Sequence, residues 1–155
     1  MERRYKSPDA MPVRGNVFES MAKTFNCAGH TDSIESALDR KAVWLPVWKY
    51  EHGAVAYAAA TSNPFHCEWD SGQAGYVFVT LADVRKEYGV TRVTKAIRAK
   101  ALEVLRQEVE TYSQWANGEV YAYTVTDANG EETDSCGGFI GDAEYALAQA
   151  KECCA

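Results

Sequence analysis

One long apolar stripe limits what this sequence can fold into more than any other feature. Val93, Ile97, Ala101, Val104, Leu105, Val109, Tyr112 and Ala116 recur at spacings of three and four, the period of a helix with one face turned to a core. Lys95, Glu103, Gln107, Glu110 and Gln114 fall opposite. The spacing predicts a helix over 91–116, and at about 1.5 Å per residue such a helix can lie across a whole sheet.

The stretches on either side have strand character. Val43–Tyr50 (VWLPVWKY), the turn Glu51-His52-Gly53 and Ala54–Thr61 (AVAYAAAT) read as a hairpin, and Gly75–Thr80 (GYVFVT) as a third strand. That third strand is apolar at both parities, which predicts an interior strand with both faces covered. Pro46 cannot donate to a ladder, so the first strand is expected either at an edge or with Pro46 on its unpaired side. Trp44 and Trp48 share parity there and are assigned to the core. Beyond the long helix, Glu119–Thr126 and the segment after Asp127–Gly130 form a second hairpin around Asn129-Gly130.

Shorter helices complete the order. Val17, Met21 and Phe25 line one side of a short N-terminal helix, and Thr31-Asp32-Ser33 offers an N-cap to the next, with Glu35 placed to close a capping box from Asp32. Leu81–Tyr88 ends at Gly89, and Asp142 caps a last helix. No βαβ rhythm is present. The class is therefore α+β: a mostly antiparallel sheet of about five strands with a long amphipathic helix on one face. A single domain over 1–155 is expected, with a variable, weakly helical region at 1–41 and a core at 42–155.

Charge is distributed unevenly. Residues 1–84 carry 8 basic and 10 acidic side chains, 85–106 carry 7 and 2, and 107–155 carry 1 and 10. The net charge of −6 argues against non-specific coating of nucleic acid but leaves room for a local anion site or an acidic face toward a basic partner. No apolar run approaches the roughly 20 residues of a membrane span. The basic N-terminus has no apolar stretch behind it, so it is not read as a secretory signal and the cytoplasm is the expected location. The five cysteines are an odd, irregularly spaced set, expected to be reduced.

Candidate chemistry gathers in three places. The first is the polar loop 61–74 leading into the third strand, where Phe65, His66, Cys67, Glu68, Trp69, Asp70 and Gln73 crowd together. Trp69 is the leading contact residue. The second is the long helix, whose first half holds Arg92, Lys95, Arg98 and Lys100 and whose later half holds Glu108 and Glu110, the reverse of what the helix dipole prefers. Salt bridges to the acidic third are the favoured explanation, and an anion site at Arg92, Lys95 and Arg98 is the functional alternative. The third is Glu108 itself, set within the apolar stripe. A buried carboxylate needs a partner, and Glu108 is expected to pin the loop from beneath as a structural acceptor. His52, Cys67 and Cys136 are too scattered for a zinc site, and no nucleophile motif, phosphate loop or dinucleotide fingerprint occurs. No catalytic residue, metal or cofactor is assigned.

Several blocks of the chain together resemble a family. Ser62–Val79 with Pro64-Phe65, Cys67, Trp69-Asp70-Ser71-Gly72-Gln73 and Gly75, then Val84–Gly89, then Glu108–Tyr112 leading to Gly118–Tyr121, then Asp134-Ser135-Cys136 with Gly138-Phe139 and Gly141, are similar to a family of small uncharacterised bacteriophage and prophage proteins. The likeness covers 43–141. It departs where Glu68 stands in place of Pro and Gly137 in place of an aromatic. The resemblance implies a setting, an accessory gene of a mobile element acting in a bacterial host, and no catalytic residues. In that setting the expected function is non-enzymatic binding to a host protein or complex, of the kind that inhibits CRISPR or restriction defence. The contact surface would comprise Phe65, His66, Trp69, Asp70 and Gln73 with the acidic Glu131, Glu132 and Asp134. A nucleotide or nucleic-acid binder using Arg92, Lys95, Arg98 and Trp69 is the alternative, and a small hydrolase using Asp70, Glu108 or Cys67 the third.

Overall fold

The computed structural model describes residues 17–27 and 30–154. Much of the weakly patterned N-terminal region, with Pro8, Pro12, Gly15 and Gly29, lies outside the described residues. The element order is α1 (Val17–Phe25), α2 (Thr31–Lys41), β1 (Ala42–His52), β2 (Ala54–Ala59), β3 (Ser71–Thr80), α3 (Leu81–Tyr88), α4 (Lys95–Ala116), β4 (Val120–Thr126), β5 (Glu132–Ile140) and α5 (Ala143–Glu152). The five strands form two antiparallel sheets, β2-β1-β3 and β4-β5, and α4 packs against the larger one. The α+β reading holds, with its strands divided three and two.

β1 supplies both cores of the larger sheet. Val43, Leu45 and Val47 face α3 and α4, where they join Val77, Val84, Ala101, Leu105 and Val109. Trp44 faces the other way and packs with Tyr76 and Phe78 against Met21, Phe25, Ile34 and Leu38 of α1 and α2. The aromatic contacts there are edge-on, with ring centroids 5.1 Å apart for Phe25 and Phe78 and 5.5 Å for Trp44 and Tyr76. Because helices cover both faces, both parities of β1 and β3 must be apolar.

The interior strand is β1 and not β3, which lies at an edge, and of the two placements expected for Pro46 the unpaired side is the one found. Pro46 is tolerated in the centre because it sits where pairing to β2 stops, one residue past the Val47 and Ala59 pair. Ala60 N–H still donates to the Pro46 carbonyl at 3.2 Å. The reciprocal bond that an N–H at 46 would make is missing, and the Ala60 carbonyl instead accepts the Trp48 indole N–H at 2.9 Å. A side chain replaces the donor that proline lacks. The outer edge of β2 is partly satisfied by α4, since Tyr57 N–H donates to Ser113 Oγ at 2.8 Å.

Helix ends show where local signals held and where they did not. Thr80 caps α3 by accepting from Asp83 N–H at 3.1 Å, Gly89 takes φ 61° at its end, and Asp142 caps α5 at 2.7 Å from Tyr145 N–H. The capping box proposed for α2 does not form. The helix starts at Thr31 with His30 as an N-cap that makes no side-chain bond, and the Glu35 carboxylate accepts the Tyr76 hydroxyl at 3.0 Å instead. A tertiary acceptor has taken the residue that a local motif wanted. α4 starts at Lys95 behind its N-cap Thr94, so Arg92 precedes the helix. β3 begins at Ser71 rather than Gly75, because Ser71 and Gly72 pair with Tyr50 and Lys49.

Leu45 is 3% exposed and sits between Val109 of α4 and Ala59 of β2. Leu45→Ala is expected to lower the unfolding free energy by about 2–5 kcal/mol, as read from the urea midpoint at unchanged slope. A loss under about 0.5 kcal/mol would mean that β1 is not the core strand.

Candidate functional site

The polar loop between β2 and β3 is tied to itself and to the β1–β2 turn. Asn63 acts in two directions, donating through Nδ2 to Ser71 Oγ at 2.9 Å and accepting Phe65 N–H at Oδ1 at 3.0 Å. Ser71 Oγ in turn donates to the Cys67 carbonyl. Asp70 Oδ2 accepts the Cys67 thiol at 3.4 Å and meets His52 Nδ1 at 3.2 Å, while the Asp70 carbonyl accepts Glu51 N–H at 2.9 Å. Phe65 stacks on Tyr50 with centroids 5.6 Å apart. In a short loop with few apolar residues, such side-chain to backbone bonds are what fix the conformation.

Trp69 takes no part in this bracing and is 97% exposed. Together with Lys49, Glu51, Asp70 and Gln73 it lines a shallow, open depression of about 390 Å³. Lys49 and Glu51 form an ion pair on its wall, and that hydrogen bond holds the Lys49 ammonium above its usual range. Of the contact residues expected here, Trp69, Asp70 and Gln73 come together in the depression and His66 is exposed nearby in the loop. Phe65 is half-buried and serves as a brace.

Glu131, Glu132 and Asp134 stand elsewhere, at and beside the tip of the β4–β5 hairpin. Glu132 accepts the Ser135 hydroxyl at 2.6 Å, and Asp134 is turned toward Tyr123. The tip is organised by Asp127, whose Oδ1 accepts N–H groups of Asn129 at 2.8 Å and Glu131 at 2.9 Å. These bonds, led by that from Glu131, hold the Asp127 carboxyl below the usual carboxylate range.

The basic group does not assemble around Trp69. Arg98 donates to the Ala42 carbonyl at 3.3 Å, at the start of β1, whereas Trp69 lies beyond the far end of that strand. At about 3.3 Å per residue the two are roughly 25 Å apart. The salt bridges expected between the basic half of α4 and the acidic third are also missing: the ion pairs among the described residues are Lys49 with Glu51, His52 with Asp70, and Arg106 with Glu103. Arg98 is used on a backbone carbonyl instead.

Glu108 is half-buried, engaged with a partner, and lines a separate cleft of about 440 Å³ between α3 and α4 with Val79, Asp83, Val84 and Glu87. That cleft opens near the C-terminal end of β3. The loop enters at the N-terminal end, so Glu108 does not pin it. The Cys67 thiol and His52 Nδ1 both meet the same oxygen of Asp70. Among the described residues no group of three or more His, Cys, Asp or Glu side chains could hold a metal ion.

Lys49 and Tyr50 join the site without being singled out in the sequence, and His52 is weighed there only as a turn residue and a zinc ligand. Its nearness to Asp70 depends on β1 pairing with β3. Compared with protein-family models, curated proteins and solved structures, the chain matches none.

Two outcomes follow from this geometry. Asn63→Ala removes the two bonds that Asn63 contributes to the loop brace and is expected to cost about 1–2 kcal/mol while speeding amide hydrogen exchange across 63–71 more than elsewhere. Asp127, held low when folded, stabilises the hairpin tip fully above the ordinary carboxylate pKa of about 4 and loses that contribution as pH falls through its lower folded value. Exchange protection of the Asn129 and Glu131 amides, corrected for intrinsic rates, should therefore hold from pH 7 to 5 and fall below about pH 4, and Asp127→Ala should remove it at every pH.

Proposed function

We propose that this protein is a non-enzymatic binding module whose central loop engages a macromolecular partner through Trp69. The observation that carries the reading is an almost fully exposed tryptophan on a loop braced by hydrogen bonds among Asn63, Cys67, Asp70 and Ser71. Tryptophan is over-represented among residues that dominate binding energy, and a loop already held in shape loses little entropy on docking. Lys49, Glu51, Asp70 and Gln73 would supply the polar rim. The acidic tip with Glu131, Glu132 and Asp134 would be a second, electrostatic contact on a large partner rather than part of the same patch.

The resemblance to bacteriophage and prophage proteins supplies the setting: an accessory protein acting in the bacterial cytoplasm on a host protein or complex, with inhibition of CRISPR or restriction defence as the specific role. Among the described residues no helix is long and apolar enough to cross a membrane. The nucleotide or nucleic-acid alternative draws less support, because Arg98 is committed to Ala42 and lies far from Trp69.

The test is capture from host lysate by wild type and by Trp69→Ala, with nuclease treatment in parallel. A protein captured by wild type should be lost from the variant, and with the purified partner Trp69→Ala should weaken affinity by about 30-fold or more, roughly 2 kcal/mol, at unchanged circular dichroism. Retained affinity would reject the Trp69 surface. Co-purifying nucleic acid whose binding falls steeply with salt would support the alternative instead.

A further inference from the structure

Away from the loop, nucleophilic side chains converge on the face of the β4–β5 hairpin that α5 covers. Cys136 pairs directly with Tyr123 in the ladder, so their side chains share that face. Phe139 and Tyr145 pack edge-on beside them at 5.8 Å, joining the sheet to the helix. From the end of α5, Cys153 brings Sγ to 3.6 Å from the Tyr123 hydroxyl, which also donates to Asp134 Oδ2 at 3.4 Å. The vicinal Cys154 is turned away, with its thiol donating to the Ala150 carbonyl of its own helix at 3.3 Å. Of the adjacent pair only Cys153 is directed at the sheet. Cys136 and Cys153 are both free and exposed.

We propose that Cys136 and Cys153 form a redox-active pair, closed to a disulfide by a hydroperoxide and independent of the Trp69 loop. Cys136, exposed on the strand, is assigned the first attack, and Cys153, beside the Tyr123 hydroxyl at the end of α5, the second; the hydrogen bond to Asp134 pushes the Cys153 thiol pKa up. The Cys136 thiolate attacks one peroxide oxygen, the O–O bond breaks, Cys136 becomes a sulfenic acid and the departing hydroxide is protonated to water. Cys153 then attacks the Cys136 sulfur. The S–S bond forms, the S–O bond breaks, and the leaving hydroxide takes the Cys153 proton as a second water. Two thiols lose two electrons, and one hydrogen peroxide becomes two waters.

The bond would matter most to α5. Its one buried side chain is Ala146, while Tyr145 and Leu147 are 53% and 56% exposed. A helix held by so little packing gains the most from a covalent tether at its far end.

The experiment uses the full chain, reduced, desalted and treated with hydrogen peroxide at low excess. Expected are a loss of about 2 Da, a fall in free thiols from five to three, a peptide joining Cys136 to Cys153, and slower amide exchange in α5. Cys136→Ser, Cys136→Ala and Cys153→Ser should each abolish the mass change, and Cys154→Ser should retain it, all at unchanged circular dichroism. A bond mapped instead to Cys153 with Cys154, to Cys27 or Cys67, or between chains would overturn the proposal. So would overoxidation of Cys136 without any bond.

Discussion

The structure depends on one strand being covered on both faces. β1 is eleven residues long and alternates its side chains between two helical layers, with Val43, Leu45 and Val47 toward α3 and α4, and Trp44 toward α1 and α2. A strand in that position cannot slip by one residue without exchanging the two cores, because the side-chain period is two. Register is thereby fixed from Ala42 to Val47; past a shift between Val47 and Trp48 the pairing resumes through Tyr50 and Ser71, and that pairing brings His52 to Asp70.

Element types were legible in the sequence because they follow from local periodicity. The apolar stripe of α4, the αL glycine after α3 and the Asp142 cap all rest on residues close together in the chain, and all are present. Strand order was not legible, because it depends on pairings between distant segments. Apolar residues at both parities showed that β3 is covered on both faces, but that property does not distinguish an interior strand from an edge strand between two helical layers. Pro46 left two placements open, an edge strand or an unpaired side, and the structure takes the second, with the Trp48 indole N–H reaching the carbonyl that the proline cannot serve. Glu35 shows the same thing in reverse: its spacing from Asp32 fits a capping box, but the Tyr76 hydroxyl, distant in sequence, claims the carboxylate.

The hairpin of β4 and β5 has a different standing from the larger sheet. A two-stranded sheet has little stability of its own, and among the described residues its helix α5 buries only Ala146. Short-range features do much of the holding there. Asp127 organises the tip, and Gly141 at φ 72°, a left-handed conformation that other residues rarely adopt, lets the chain leave β5 beside the Gln114 amide. The two sheets are thus held by different means, one by a core on each face and the other by turns, caps and polar contacts with α4 and α5 at its base.

That contrast bears on why the central loop, rather than the hairpin, is the stronger candidate for recognition. Burying a tryptophan removes about 200 Å² from water, worth roughly 5 kcal/mol at 25 cal/mol per Å², and Trp69 forgoes nearly all of it. A mobile loop could fold such a side chain back over the neighbouring sheet. This loop is prevented from doing so by Asn63, Ser71 and Asp70, each of which makes two bonds or more, and by the stacking of Phe65 on Tyr50. At about 1 kcal/mol per bond, the bracing is comparable in size to the burial that is given up. The network keeps one aromatic ring in water, and docking through Trp69, as proposed, would bury that ring without first having to order the loop.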